Sequence, residues 1–160
     1  MAQIDLSTYQ TVFDMIPVGL GIASLEGKLL IYNAAMLAPG GYERADIDSL
    51  SSVVELYYEP ADRARVLEIA RDQGKVDNFR VRFKRKNGEP YWTLMSLRPV
   101  QFEGTPGWLA SVLDIDIQVR AEEDLSVKMK ELEELNKVMV GRELKMAELK
   151  EELQKLKSQK

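Results

Sequence analysis

The groups able to do chemistry in this chain are carboxylates, guanidinium and ammonium ions, and phenols, because it contains neither cysteine nor histidine. That composition rules out disulfides, thiolate nucleophiles and cysteine-based metal sites. It also removes the imidazole general base, the histidine ligand of haem and the phosphoacceptor of a histidine kinase. Two acidic pairs, Glu122/Glu123 and Glu133/Glu134, have the composition of an acid–base couple. They fall in a charged helical run, where no cleft would shift their pKa values. A basic stripe, Arg80, Arg82, Lys84, Arg85 and Lys86, has the charge to attract a carboxylate, a phosphate or an acidic surface. It reads better as the solvated face of a strand whose positive charge discourages edge pairing. Asp116 stands just before a long charged segment and is expected to cap a helix starting at Ile117. An enzyme is not expected from this set; binding, packing and shape are.

The elements that must position these groups are legible from spacing. Ser7 or Thr8 can cap a helix carrying Tyr9, Val12, Phe13 and Ile16, which Pro17 stops. Strand-like runs at 18–23 and 28–32 flank a turn at Leu25-Glu26-Gly27. Asn33 to Ala38 has short helical character that Pro39-Gly40-Gly41 breaks, and residues 42–58 offer no dominant period, so short helices and loops are expected there. Pro60 opens a helix with Val66, Ile69 and Ala70 on one face, and Gly74 closes it. Phe79, Val81 and Phe83 alternate with the basic stripe, the period of a sheet with one buried face. Asn87-Gly88 is a strong hairpin signal, and a second strand follows from Tyr91 to Val100. Glu103-Gly104 and Pro106-Gly107 are read as the turn into a third, from Trp108 to Ile115, apolar on both faces as a covered central strand would be. The plan is α+β, with three consecutive antiparallel strands at its end.

From Gln118 onward the chain reads as one long amphipathic helix. Leu125, Leu132, Met139, Met146 and Leu153 recur at one heptad position, and Ala121, Lys128, Leu135, Arg142, Leu149 and Leu156 at the other. Five heptads exceed what a coiled coil needs. The expected seam is therefore Leu125, Leu132, Leu135, Met139, Met146, Leu149, Leu153 and Leu156, with Lys128 and Arg142 as polar interruptions. A parallel homodimer through this helix is expected, and an antiparallel one stays open.

In order along the chain, several fragments resemble the PAS (Per-Arnt-Sim) sensor family. Ile16-Pro17-Val18-Gly19 and the run Leu25 to Asn33 are similar to its opening, and Gly41-Tyr42-Glu43-Arg44-Ala45-Asp46 to its G-Y-S-R-E-E element. Pro60-Ala61-Asp62-Arg63 resembles its H-P-E-D-R helix start, with Glu59 in place of the histidine. Lys86-Asn87-Gly88 resembles its K-D-G turn. Asp114-Ile115-Asp116 aligns with its D-I-T junction, an aspartate replacing threonine, and Arg120-Ala121-Glu122-Glu123-Asp124-Leu125 with the start of its signalling helix. The resemblance implies a five-stranded antiparallel sheet in the order 2-1-5-4-3 with flanking short helices. It divides the chain into an N-terminal cap helix (1–17), a PAS-like sensor domain (18–116) and a signalling coiled-coil helix (117–160).

The resemblance also implies a ligand site between sheet and helices, and a signal junction at Asp114, Ile115 and Asp116, where Asp114 would hold the helix root to the sheet through a basic residue. The expected pocket is Phe79, Val81 and Phe83 faced by Val66, Ile69 and Tyr57, with Tyr32 and Asn33 as polar contacts. The competing reading is that these side chains fill the core. Histidine-ligated haem and cysteine-adduct flavin are excluded; non-covalent flavin, haem on another ligand and a small metabolite stay open, so the cofactor is unknown. The function implied is a dimeric sensory module that signals to an effector of the histidine kinase or nucleotide cyclase type, as in two-component systems, not present in this chain. A ligand-free dimerisation scaffold is the alternative. The chain then reads as a fragment or an isolated sensor. With net charge −4 nucleic acid is not an expected partner. No apolar run spans a bilayer and no basic-then-apolar leader opens the chain, so a cytoplasmic setting is expected.

Overall fold

The computed structural model describes residues 6–158. Residues 1–5 of the expected cap and 159–160 of the expected coil lie outside them. The first helix, α1 (Leu6–Met15), ends just ahead of Pro17. Strands β1 (Gly19–Ser24) and β2 (Leu29–Tyr32) pair antiparallel across the expected turn. Next come 3-10 turns at Ala34–Met36 and Ala38–Gly40, helix α2 (Arg44–Asp48) and a 3-10 turn at Val53–Leu56. Side chains, not periodicity, define the last two. The Asp46 carboxylate accepts the Glu43 N–H at 2.8 Å, and Glu55 accepts those of Ser51 and Ser52 at 2.9 and 3.2 Å. Helix α3 (Pro60–Gln73) starts at its proline and stops at Gly74, which takes φ +73°.

Strands β3 (Val76–Lys84), β4 (Pro90–Phe102) and β5 (Thr105–Asp114) complete a five-stranded antiparallel sheet in the order β2-β1-β5-β4-β3. Its inner face, with Val81, Phe83, Tyr91, Met95, Leu97 and Val112, packs on Ile47, Leu56, Tyr57, Val66 and Ala70 from the helical side. The helical cover of that face comes from α2, α3 and the 3-10 turn at Val53–Leu56. β5 is central, as its composition implied, but not wrapped on both sides: Leu109 is half-buried and Leu113 43% exposed.

The expected start of the third strand is corrected. Glu103 (φ +48°) and Gly104 (φ +79°) make the turn alone, with Phe102 opposite Thr105. Pro106 and Gly107 therefore lie inside β5. Pairing with β1 begins only at Gly107, opposite Ser24, so Pro106 withholds its N–H beyond the end of that ladder. At Gly107 the backbones close up: a Cβ there would lie 2.3 Å from the Ala23 carbonyl oxygen. Gly107→Ala is expected to destabilise the domain by about 1–3 kcal/mol, the usual cost of overpacking, read as a lowered urea midpoint.

Helix α4 (Asp116–Ser158) is unbroken for 43 residues, about 60 Å. The chain divides into two compact units between Ile117 and Gln118. All eight expected seam residues are exposed along the helix. Among the described residues no helix is long and apolar enough to cross a membrane.

Candidate functional site

Between the inner face of the sheet and the helical side lies a cavity of about 50 Å³. Gly21, Ala23 and Ala110 supply small side chains on β1 and β5 where larger ones would fill it, and Tyr57, Phe83 and Met95 supply aromatic and thioether walls. The Tyr57 hydroxyl donates to the Met95 sulfur at 3.5 Å, and burial pushes its pKa up to about 12, so it remains a donor at neutral pH.

Of the eight expected pocket residues, Tyr57 and Phe83 line this cavity. Val66 and Val81 are buried in the core, with Ile69 and Phe79 packed against it. Asn33 is fully buried but serves the backbone. Its Oδ1 accepts the Leu20 N–H at 2.8 Å, and its amide donates to the carbonyls of Val18 and Phe13 at 2.9 and 3.1 Å. Tyr32 turns its hydroxyl away to the Asp48 carboxylate at 2.7 Å. The polar contacts expected of Asn33 and Tyr32 thus go to structure, because a strand end leaves backbone groups that a short amide satisfies.

The second part of the site surrounds Arg85. Its guanidinium stands 3.6 Å from Asp116 Oδ2 and 3.8 Å from Asp114 Oδ2, and lies over the Tyr91 ring at 4.4 Å. It also donates to the Pro39 carbonyl. The Asp116 carboxylate, expected to cap the helix, accepts the Trp92 N–H at 3.3 Å, while Asp114 accepts the Asp116 N–H at 2.8 Å. The Ile115 N–H bonds the Trp92 carbonyl at 2.9 Å, so the first residues of α4 are stitched to β4. Alongside, Lys86 pairs with Asp46 at 2.8 Å, which holds the Asp46 carboxyl below its ordinary range.

Arg85 was grouped with the solvated stripe, and that grouping is corrected. Strand parity carried the signal: 79, 81, 83 and 85 share the inner side, while 80, 82 and 84 face out. Arg82 does keep to the outer face, between the rings of Tyr58 and Trp92. From the cavity wall to Arg85 the contacts are continuous. The Tyr57 and Phe83 rings are 4.9 Å apart, Phe83 meets Tyr91 edge-on at 6.4 Å, and Tyr91 underlies Arg85.

An antiparallel sheet in this order, clasped on one face and ending in a helix stitched to its central strands, defines the class. The family model for the PAS domain matches residues 17–117, and the chain belongs to that family. No curated protein matches it by sequence. Among solved structures, the PAS domain of a Colwellia psychrerythraea protein is 21% identical, with a TM-score of 0.58 over 69% of this chain and 97% of that one. The PAS domain of a two-component sensor histidine kinase is 16% identical, with a TM-score of 0.58 over 68% and 94%. The PAS domain of a LuxR-family transcriptional regulator from Burkholderia thailandensis, in complex with ethanol, is 21% identical, with a TM-score of 0.56 over 67% and 96%. At such identities the likeness is one of fold.

Proposed function

We propose that this chain is a sensory module in which occupancy of the cavity is read at the root of α4, and α4 carries the change by pairing with the same helix of a second copy. The observation that carries the reading is the unbroken series Tyr57–Phe83–Tyr91–Arg85–Asp114/Asp116 between cavity and root. Arg85 and Asp116 form a largely buried pair, with side chains 28% and 12% exposed, so loss of one partner leaves the other's charge uncompensated at the root. The exposed apolar stripe of α4 supports a homodimer, in parallel so that both roots lie at the same end. The effector is of the histidine kinase or nucleotide cyclase class. One structural relative comes from a two-component sensor histidine kinase, and another holds ethanol, a small organic molecule.

Contact continuity becomes coupling only if the two ends share an equilibrium. Ala110→Leu fills the cavity from its floor and is expected to change the opening free energy of the Ile115–Ile117 amides by about 0.5–2 kcal/mol, read by hydrogen exchange. Arg85→Gln is expected to speed exchange at the same amides and to abolish the effect of Ala110→Leu. An equal response to Ala110→Leu with and without Arg85 removes this route. The modest size of the cavity favours the second reading, a ligand-free scaffold, and root amides indifferent to Ala110→Leu would select it.

A further inference from the structure

One charged residue lines the cavity, Arg63 on α3, and it enters no ion pair among the described residues. The acids near it are engaged elsewhere. Asp62 pairs with Arg65 at 3.3 Å, Glu59 with Arg82 at 3.8 Å, and Glu55 accepts the Ser51 hydroxyl at 2.6 Å. The guanidinium lies against the β1–β2 turn, where a Cβ on Gly27 would come within 2.6 Å of Nη1 and 2.8 Å of Nη2. The turn is shaped to leave room for it. Tyr57 also lines the space, and the partner of its hydroxyl is a thioether sulfur, a weak acceptor. The guanidinium and the phenol can both donate, and a guanidinium brings a positive charge. Much of the remaining lining is apolar, with Leu29, Leu97 and Ala110.

A small, mostly apolar space with a guanidinium and a phenol in its lining selects an acceptor on a short hydrocarbon. The geometry points to a short-chain monocarboxylate as the ligand, its acid on Arg63 and the Tyr57 hydroxyl, its alkyl tail against Met95, Leu97 and Ala110. The available 50 Å³ holds about four water-sized groups, the size of a four-carbon acid with its carboxylate at the mouth. This inference rests on the sensory reading, in which an occupied cavity is the input.

Three probes of one length separate the chemistries: butyrate, 1-butanol and butylamine, each titrated into the full chain by calorimetry and by amide NMR. Butyrate is expected to bind at least ten-fold tighter than 1-butanol, with shifts at Gly27, Tyr57 and Phe83, and butylamine not to bind. Acidification until butyrate protonates should erase its advantage. Arg63→Gln should weaken butyrate at least ten-fold and leave 1-butanol within two-fold, which also certifies the fold of the variant. Should Arg63→Gln unfold, the near-isosteric Tyr57→Phe serves instead, with a several-fold loss for butyrate alone. Equal binding of butyrate and 1-butanol, or butyrate indifferent to both substitutions, overturns the inference while the sensory reading stands. A cavity that takes up none of the three overturns the inference and favours the scaffold.

Discussion

Asn33→Leu is expected to lower the thermal midpoint of the folded domain by roughly 10–15 °C, the largest stability effect of any single exchange considered. Asn33 is fully buried and spends its amide on four backbone groups, the Leu20 N–H and the carbonyls of Val18, Phe13 and Ile16. Leucine fills similar space but strands those groups. Each buried orphan costs about 1–3 kcal/mol, with solvent reaching some of them. A total on the order of 3 kcal/mol follows, a large share of the 5–15 kcal/mol that holds a typical domain. At about 4 °C per kcal/mol for a domain of this size, that gives the stated shift. Trp92 and Trp108 both lie in the sheet, so tryptophan fluorescence follows the domain and not α4. Protein concentration must be held fixed, since dimerisation would move the midpoint by mass action. A shift below about 3 °C would mean that water replaces the side chain.

Leu132→Asp is expected to convert a dimer into a monomer. Leu132 is exposed one heptad in from the start of the proposed seam, where a second copy would bury it. Aspartate at that position buries two carboxylates facing each other, one from each copy. Desolvating unpaired charge costs several kcal/mol per ion, so a loss of at least about 3 kcal/mol is a conservative figure. That weakens the dissociation constant more than a hundred-fold. Sedimentation equilibrium reads the mass, and unchanged tryptophan fluorescence shows the sensor domain intact. A dimer mass that survives the substitution places the pairing surface elsewhere. Lys128 and Arg142 interrupt the same seam at its second heptad position and mark where alternative registers would cost least.

Much of the fold was legible because local physics decided it. Pro60 and Gly74 bound α3, since a proline suits the first helical turn and a left-handed residue ends it. The Asn87-Gly88 signal does mark the hairpin between β3 and β4, although the loop is one residue longer than the tightest form. The Gly88 N–H closes on the Arg85 carbonyl at 2.9 Å, and Arg85 pairs across to Glu89. The turn before β5 was less legible, because Pro106-Gly107 carries a turn composition and yet sits in a strand. Only the neighbouring backbone of Ala23, pressed against Gly107, gives that glycine its reason.

Periods of 2 and 3.6 and turn residues act over a few positions, so the strands and longer helices, the family and the apolar stripe of α4 can be read from the chain alone. The partner of each polar group cannot, and comes from the tertiary fold. Asn33, expected at a ligand, is consumed by four backbone groups from β1 and the residues before it. Arg85, expected in solvent, meets Asp114 and Asp116 from 29 and 31 residues away. Arg63, one member of a helix-start motif, lines an apolar space and enters no ion pair among the described residues. Partners so distant in sequence are set by which strands lie side by side and which face the helices cover. No local pattern encodes that choice, because it is the packing of the whole sheet that leaves one charge satisfied and another waiting.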